Sequence, residues 1–82
     1  MKIIFSDHAQ AQTGERNIAK ELILRTVENP DKVARQSSSR FAAQKLMGKN
    51  GKTYVLIAVY DEIGDTKEIV TAFLTIKVKK YL

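Results

Sequence analysis

Apolar and polar positions follow two rhythms along this chain, and the change between them falls at Asn29-Pro30. Before it, Ile18, Leu22, Ile23 and Val27 recur near the helical period and predict the buried stripe of a helix. Asn17 stands at its start as an N-cap, and Pro30 stops it because the residue before a proline is pushed out of the helical region. Ahead of it, Lys2 to Phe5 is a run of branched and aromatic side chains that predicts a short strand. Ser6 or Asp7 then caps a weaker helix, which offers only Ala9 and Ala11 to a core and is expected to end or bend near Gly14. After Pro30 the period shortens to two. Lys32 to Gln36, Arg40 to Met47, Thr53 to Tyr60 and Ile69 to Ile76 predict strands, separated by a serine turn at 37–39, the Asn50-Gly51 hairpin turn and an acidic loop at 61–68.

Helices followed by strands predict an α+β domain, with two N-terminal helices packed on one face of a mostly antiparallel four-stranded sheet. Thr53 to Tyr60 is apolar on both faces and is expected at the centre. If Asn50-Gly51 sets the register, Phe41 falls opposite Tyr60 and Met47 opposite Tyr54. Val55, Ile57 and Val59 are then expected to point toward the helices, leaving the face with Phe41, Lys45, Tyr54 and Tyr60 partly open. A bulge at Gly48 would shift one strand by a residue and swap its faces. Lys77, Lys79 and Lys80 form a basic tail, expected to be solvated and slightly frayed.

Composition narrows the setting. A chain of 82 residues is expected to form one domain over 1–82 and to bury only about 60% of its unfolded surface. The absence of cysteine excludes disulfides and thiolate metal sites and fits a reducing cytosol. Lys2 precedes only a short apolar run, too brief for a signal-peptide core, and the run from Tyr54 to Tyr60 cannot span a bilayer. A cytoplasmic protein with no membrane partner is expected. The formal charge is +5, but Asp61, Glu62, Asp65 and Glu68 are gathered in one stretch, so the rest of the chain carries 13 basic and 5 acidic side chains. Such a surface suits an anionic partner, either nucleic acid or an acidic protein.

The chemistry left open is acid–base chemistry. No metal-ligand spacing and no glycine-rich phosphate loop appears, so no metal and no cofactor are expected. His8 is the only histidine, and on a helix His8, Gln12 and Glu15 fall within about 60° of one another with Arg16 beside them. Cleaving RNA without metal needs a base for the 2′-hydroxyl, an acid for the leaving 5′-oxygen and cations for the phosphate. An imidazole suits either proton role. The second group would be Glu15, a lysine, Tyr81 or water. Arg16 or Arg40 can hold a phosphate by paired hydrogen bonds, and Arg35 and Arg40 flank the serine turn. Tyr54, Tyr60 and Phe41 can stack on unpaired bases, with Lys45 on the same face and Lys77 and Lys80 in the basic tail as further nucleic-acid contacts. Thr71 sits mid-strand, on the face opposite Val70 and Ala72.

Several of these residues together resemble the family of small domains catalogued as domain of unknown function 4258. The resemblance rests on Asp7-His8-Ala9, Glu15-Arg16 and Ile18, on Asn29-Pro30-Asp31 with Val33, on Arg40-Phe41 and Val70-Thr71-Ala72, and on Lys77 with Lys80-Tyr81. That family is similar in outline to RelE-like and barnase-like endoribonuclease toxins. The resemblance implies a RelE-like fold, a catalytic His8, phosphate handling by Arg16 and Arg40, and Thr71 lining the site; in the resulting scheme Thr71 with Tyr81 is expected to position the scissile phosphate. It also implies RNA as substrate and a small acidic antitoxin as partner. Three positions depart from the pattern: Gln12 stands where arginine is usual, Thr13 replaces an apolar residue, and Asn17 replaces glycine. Two rivals compete with an endoribonuclease: a non-catalytic RNA-binding module using the Tyr54 and Tyr60 face and the lysine tail, and a homodimer or protein-interaction module with that face buried by a partner.

Overall fold

Residues 2–82 are described by a computed structural model, apart from the side chain of Lys49. The elements in chain order are β1 (Lys2–Phe5), α1 (Asp7–Arg16), α2 (Lys20–Glu28), β2 (Lys32–Arg35), β3 (Arg40–Lys49), β4 (Lys52–Ile63), β5 (Thr66–Thr75) and α3 (Val78–Tyr81). The strands form one sheet in the order β1-β5-β4-β3-β2. The sheet has five strands rather than the expected four: β1 joins it parallel to β5, whereas all other pairs are antiparallel. A strand before the helices and a strand at the end of the hairpin series meet only in three dimensions, so nothing local in the sequence announces the pairing. No helix among the described residues is long and apolar enough to cross a membrane.

Local chemistry sets the element ends. Ser6 caps α1, its hydroxyl accepting from the Ala9 amide at 3.0 Å. Gly14 does not break the helix, which continues to Arg16. Asn17 was expected to start α2. Instead it ends α1 in the left-handed region at φ 52°, a conformation that asparagine tolerates better than most residues, and α2 begins at Lys20 without a side-chain cap. Asn50 and Gly51 both have positive φ, 53° and 77°, the geometry of the hairpin turn their sequence favours. The acidic stretch is mostly strand: Asp61 pairs with Glu68 and Glu62 with Lys67 around a tight turn at Gly64.

The expected register holds, with Phe41 opposite Tyr60 and Met47 opposite Tyr54, and no bulge falls at Gly48. The faces are the reverse of the expectation. Leu56, Ala58 and Tyr60 point toward α1 and α2, where Ala9, Ile18, Ile23 and Val27 cover them. Ala43, Ala58 and Ala72 are consecutive partners across β3, β4 and β5, all fully buried. This row has no bulk, and it is what lets the helices settle on the sheet. Val55, Ile57 and Val59 point the other way into a second core with Ala42, Phe73, Val78 and Tyr81. The tail is therefore not simply solvated, since α3 lays Val78 and Tyr81 on the second face. Period-two patterning separates two faces but cannot say which carries helices when both are apolar.

Candidate functional site

The site is built where the sheet runs out beside α1. β1 ends at Phe5, opposite Ile69, while β5 continues to Thr75, leaving the later part of β5 with no strand on that side. α1 lies along this bare edge. A bulge sharpens the arrangement: Tyr60 pairs with Ile69 but Val59 pairs with Thr71, so Val70 is an extra residue. Thr71 was expected to face away from Val70. The bulge instead puts Thr71 beside Val59 on the second face, which Val70 also packs against.

From there the Thr71 hydroxyl donates to Oε1 of Gln12. The same oxygen accepts from Arg16 Nη1 at 3.3 Å, and that nitrogen also donates to the Ala72 carbonyl at 2.8 Å. Arginine can only donate, so Gln12 must present its oxygen to Arg16 and turn its amide hydrogens away. Arg16 is folded back by one turn and its guanidinium lies level with Gln12. His8, exposed in the first turn of α1, precedes Gln12 by four residues, about 6 Å of helix rise. An imidazole, an amide donor and a pinned guanidinium thus follow one another along one side of α1. Glu15 is exposed on the same helix.

The aromatic end of the chain reaches this edge from the second face. Phe73 meets Tyr81 edge-on, with ring centroids 6.4 Å apart, and Lys80 Nζ lies 5.5 Å from the Tyr81 centroid. Phe73 and Arg16, with Ile18 and Leu74, line an open hollow of about 510 Å³. Tyr81 and Lys80 are therefore connected to the neighbourhood of Arg16 through Phe73. Lys77 is exposed just before α3.

Other expected site residues lie elsewhere. Arg40 sits on β3, two strands from β5, and donates Nε and Nη2 to the two Asp61 oxygens at 2.7 and 2.9 Å. This pairing holds the Asp61 carboxyl below its usual range and raises the Arg40 guanidinium. The structure does not bring Arg40 to His8 and Arg16. Lys45 Nζ donates to the Asn29 carbonyl at 2.9 Å, which ties β3 to the end of α2. Tyr54 lines an adjoining apolar hollow of about 210 Å³ with Leu22 and Met47, which shares Ile18 and Leu74 with the hollow at Arg16. Tyr60 is only 4% exposed and stacked on Phe41, so it offers no face to a base, contrary to expectation. Arg35 donates to the Ser37 and Ser38 carbonyls and lies over Phe41. The residue undervalued in the sequence is Gln12: it marks a departure from the family pattern, yet it is the hinge between Thr71 and Arg16.

Among the described residues no group of three or more histidine or carboxylate side chains is placed to hold a metal ion. A family model described as domain of unknown function (DUF4258) matches residues 5–74, from the end of β1 through nearly all of β5. No curated protein and no solved structure matches the chain.

Proposed function

We propose that this chain, which belongs to the DUF4258 family, is a metal-independent endoribonuclease whose active groups line α1. The observation that carries this reading is the folded-back Arg16: bonded to Ala72 and Gln12, its guanidinium is drawn back level with Gln12, which follows His8, the only histidine in the chain, by one helical turn. A phosphate seated over Gln12 would meet the free guanidinium hydrogens and the outward amide hydrogens of Gln12. His8 then removes the proton from the adjacent 2′-hydroxyl. The 2′-oxygen attacks phosphorus, the bond to the 5′-oxygen breaks, and that oxygen takes a proton from water, which the exposed Glu15 carboxylate on the same helix can orient. The products are a 2′,3′-cyclic phosphate and a 5′-hydroxyl. Thr71 acts through Gln12 as a positioning residue, and Tyr81 with Lys80 borders the substrate on the second face. Lys77 contributes general attraction for the strand. As the toxin of a toxin–antitoxin pair, such an enzyme would be held in check by a small acidic protein covering this edge. A cytoplasmic setting, where RNA is met, belongs to the same reading.

The test is RNA cleavage in the presence of a chelator. Wild-type protein is expected to leave 2′,3′-cyclic phosphate ends, to spare strands with 2′-deoxy sugars, and to lose about 10²–10⁴ of its rate in His8→Ala. Equal cleavage by both proteins, or none by the wild type, would overturn the proposal.

A further inference from the structure

A second feature suited to anions lies on the helix-covered face of the sheet and is built from residues other than those of the α1 stripe. Phe5, Ile69, Tyr60, Phe41 and Arg35 are successive cross-strand partners, one from each of the five strands. This row spans the whole width of the sheet, about 19 Å at the usual strand spacing. Cations stand over its aromatic members. Lys20 Nζ lies 5.5 Å from the Phe5 centroid, Lys67 Nζ 5.0 Å from that of Tyr60, and the Arg35 guanidinium carbon 5.9 Å from that of Phe41. They come from α2, β5 and β2, so the fold rather than local sequence assembles them. Each holds its charged group over the face of a ring, where the ring quadrupole attracts it. Arg35 is further fixed by its bonds to the Ser37 and Ser38 carbonyls. The nearest opposing charge in the register is Glu62, directly across from Lys67.

We propose that this row is a phosphate track for an RNA strand, separate from the α1 stripe and engaging the backbone through Lys20, Lys67 and Arg35. The aromatic rings serve as seats for the cations, not as platforms for bases. The proposal rests on the reading of this protein as acting on RNA, but it concerns binding alone, so it stands or falls apart from catalysis.

The test uses the full chain and a fluorescent single-stranded oligonucleotide with 2′-O-methyl sugars, which cannot be cleaved, titrated at several salt concentrations. The variant Lys20→Gln/Arg35→Gln/Lys67→Gln is compared with Lys2→Gln/Lys52→Gln/Lys79→Gln, which removes the same charge elsewhere. Three backbone contacts contribute about 2 to the slope of log affinity against log salt, equivalent to about a 20-fold change between 50 and 200 mM salt. The first variant is expected to lose that contribution, and the second to keep most of it. Glu62→Gln is expected to tighten binding several-fold. Equal slopes for the two triple variants, or an unchanged slope in the first, would overturn the track. So would a first variant impaired equally in binding polyglutamate, because the row would then be a general anion surface. A protein that binds with this difference but never cleaves would leave the track standing and remove the nuclease.

Discussion

Replacing Tyr60 by alanine tests the two-sided core most directly. Tyr60 is 4% exposed, lies on the α2 side of β4 and stacks on Phe41 with centroids 5.6 Å apart. Burying an aromatic side chain of this size removes about 200 Å² from water, worth about 5 kcal/mol at 25 cal/mol per Å². Residual burial in the unfolded chain and the methyl group that alanine keeps reduce this to about 3 kcal/mol, and the ring pair adds about 0.5–1 kcal/mol. The expected loss is therefore about 3–4 kcal/mol, against about 4–12 kcal/mol for a chain of this length. In urea, with a slope of about 1 kcal/mol per M for so small a domain, the midpoint should fall by about 3 M. Tyr60→Phe should fall far less, because it retains the ring. A loss below about 1 kcal/mol for Tyr60→Ala, with the urea slope unchanged, would mean that the ring stands in solvent and that the assigned faces are wrong.

Two further outcomes follow from single groups. The Tyr60 phenol is pushed above its ordinary pKa, first by burial and then by the Glu62 charge, so absorbance titration should find one tyrosine ionising later than an exposed one. A raised phenol pKa means that its contribution to stability is complete below the unfolded value and is lost as pH rises through the folded one; stability that increases across that alkaline window would contradict this. Gln44 is 4% exposed and its Oε1 has no partner among the described residues, so Gln44→Leu should stabilise the fold by about 1 kcal/mol, read as a higher urea midpoint. Destabilisation there would mean that the amide is satisfied in solution.

Elements whose cause is local were legible in the sequence. The Ser6 cap, the stop at Asn29-Pro30 and the Asn50-Gly51 turn each depend on the conformational preferences of one or two residues, and with that turn came the register of β3 against β4. Elements fixed by distant partners were not legible. β1 finds β5 across most of the chain, and Val78 and Tyr81 appear as a basic tail until Phe73 supplies a surface for them. Asn17 shows both sides of this: the same short polar side chain suits the start of one helix and the left-handed end of another, and only the φ of 52° decides.

The candidate site divides along the same line. That His8, Gln12 and Arg16 share one side of α1 is a matter of helical period and was visible in advance. What turns the stripe into a site is Thr71, and its orientation depends on one residue that the pairing leaves over. Without the bulge at Val70, strict alternation would place Thr71 on the α2 face with Ile69, and Gln12 would lose its partner on β5. The Oε1 of Gln12 would then be held only by Arg16, itself pinned to Ala72. Valine carries no bulge signal of the kind a strand glycine gives, so the device is invisible in the sequence. It arises because Val70 must reach the second core while Ile69 and Ala72 both stay in the first. The packing of two cores on one sheet thus dictates the irregularity, and the irregularity delivers the hydroxyl that orients the site.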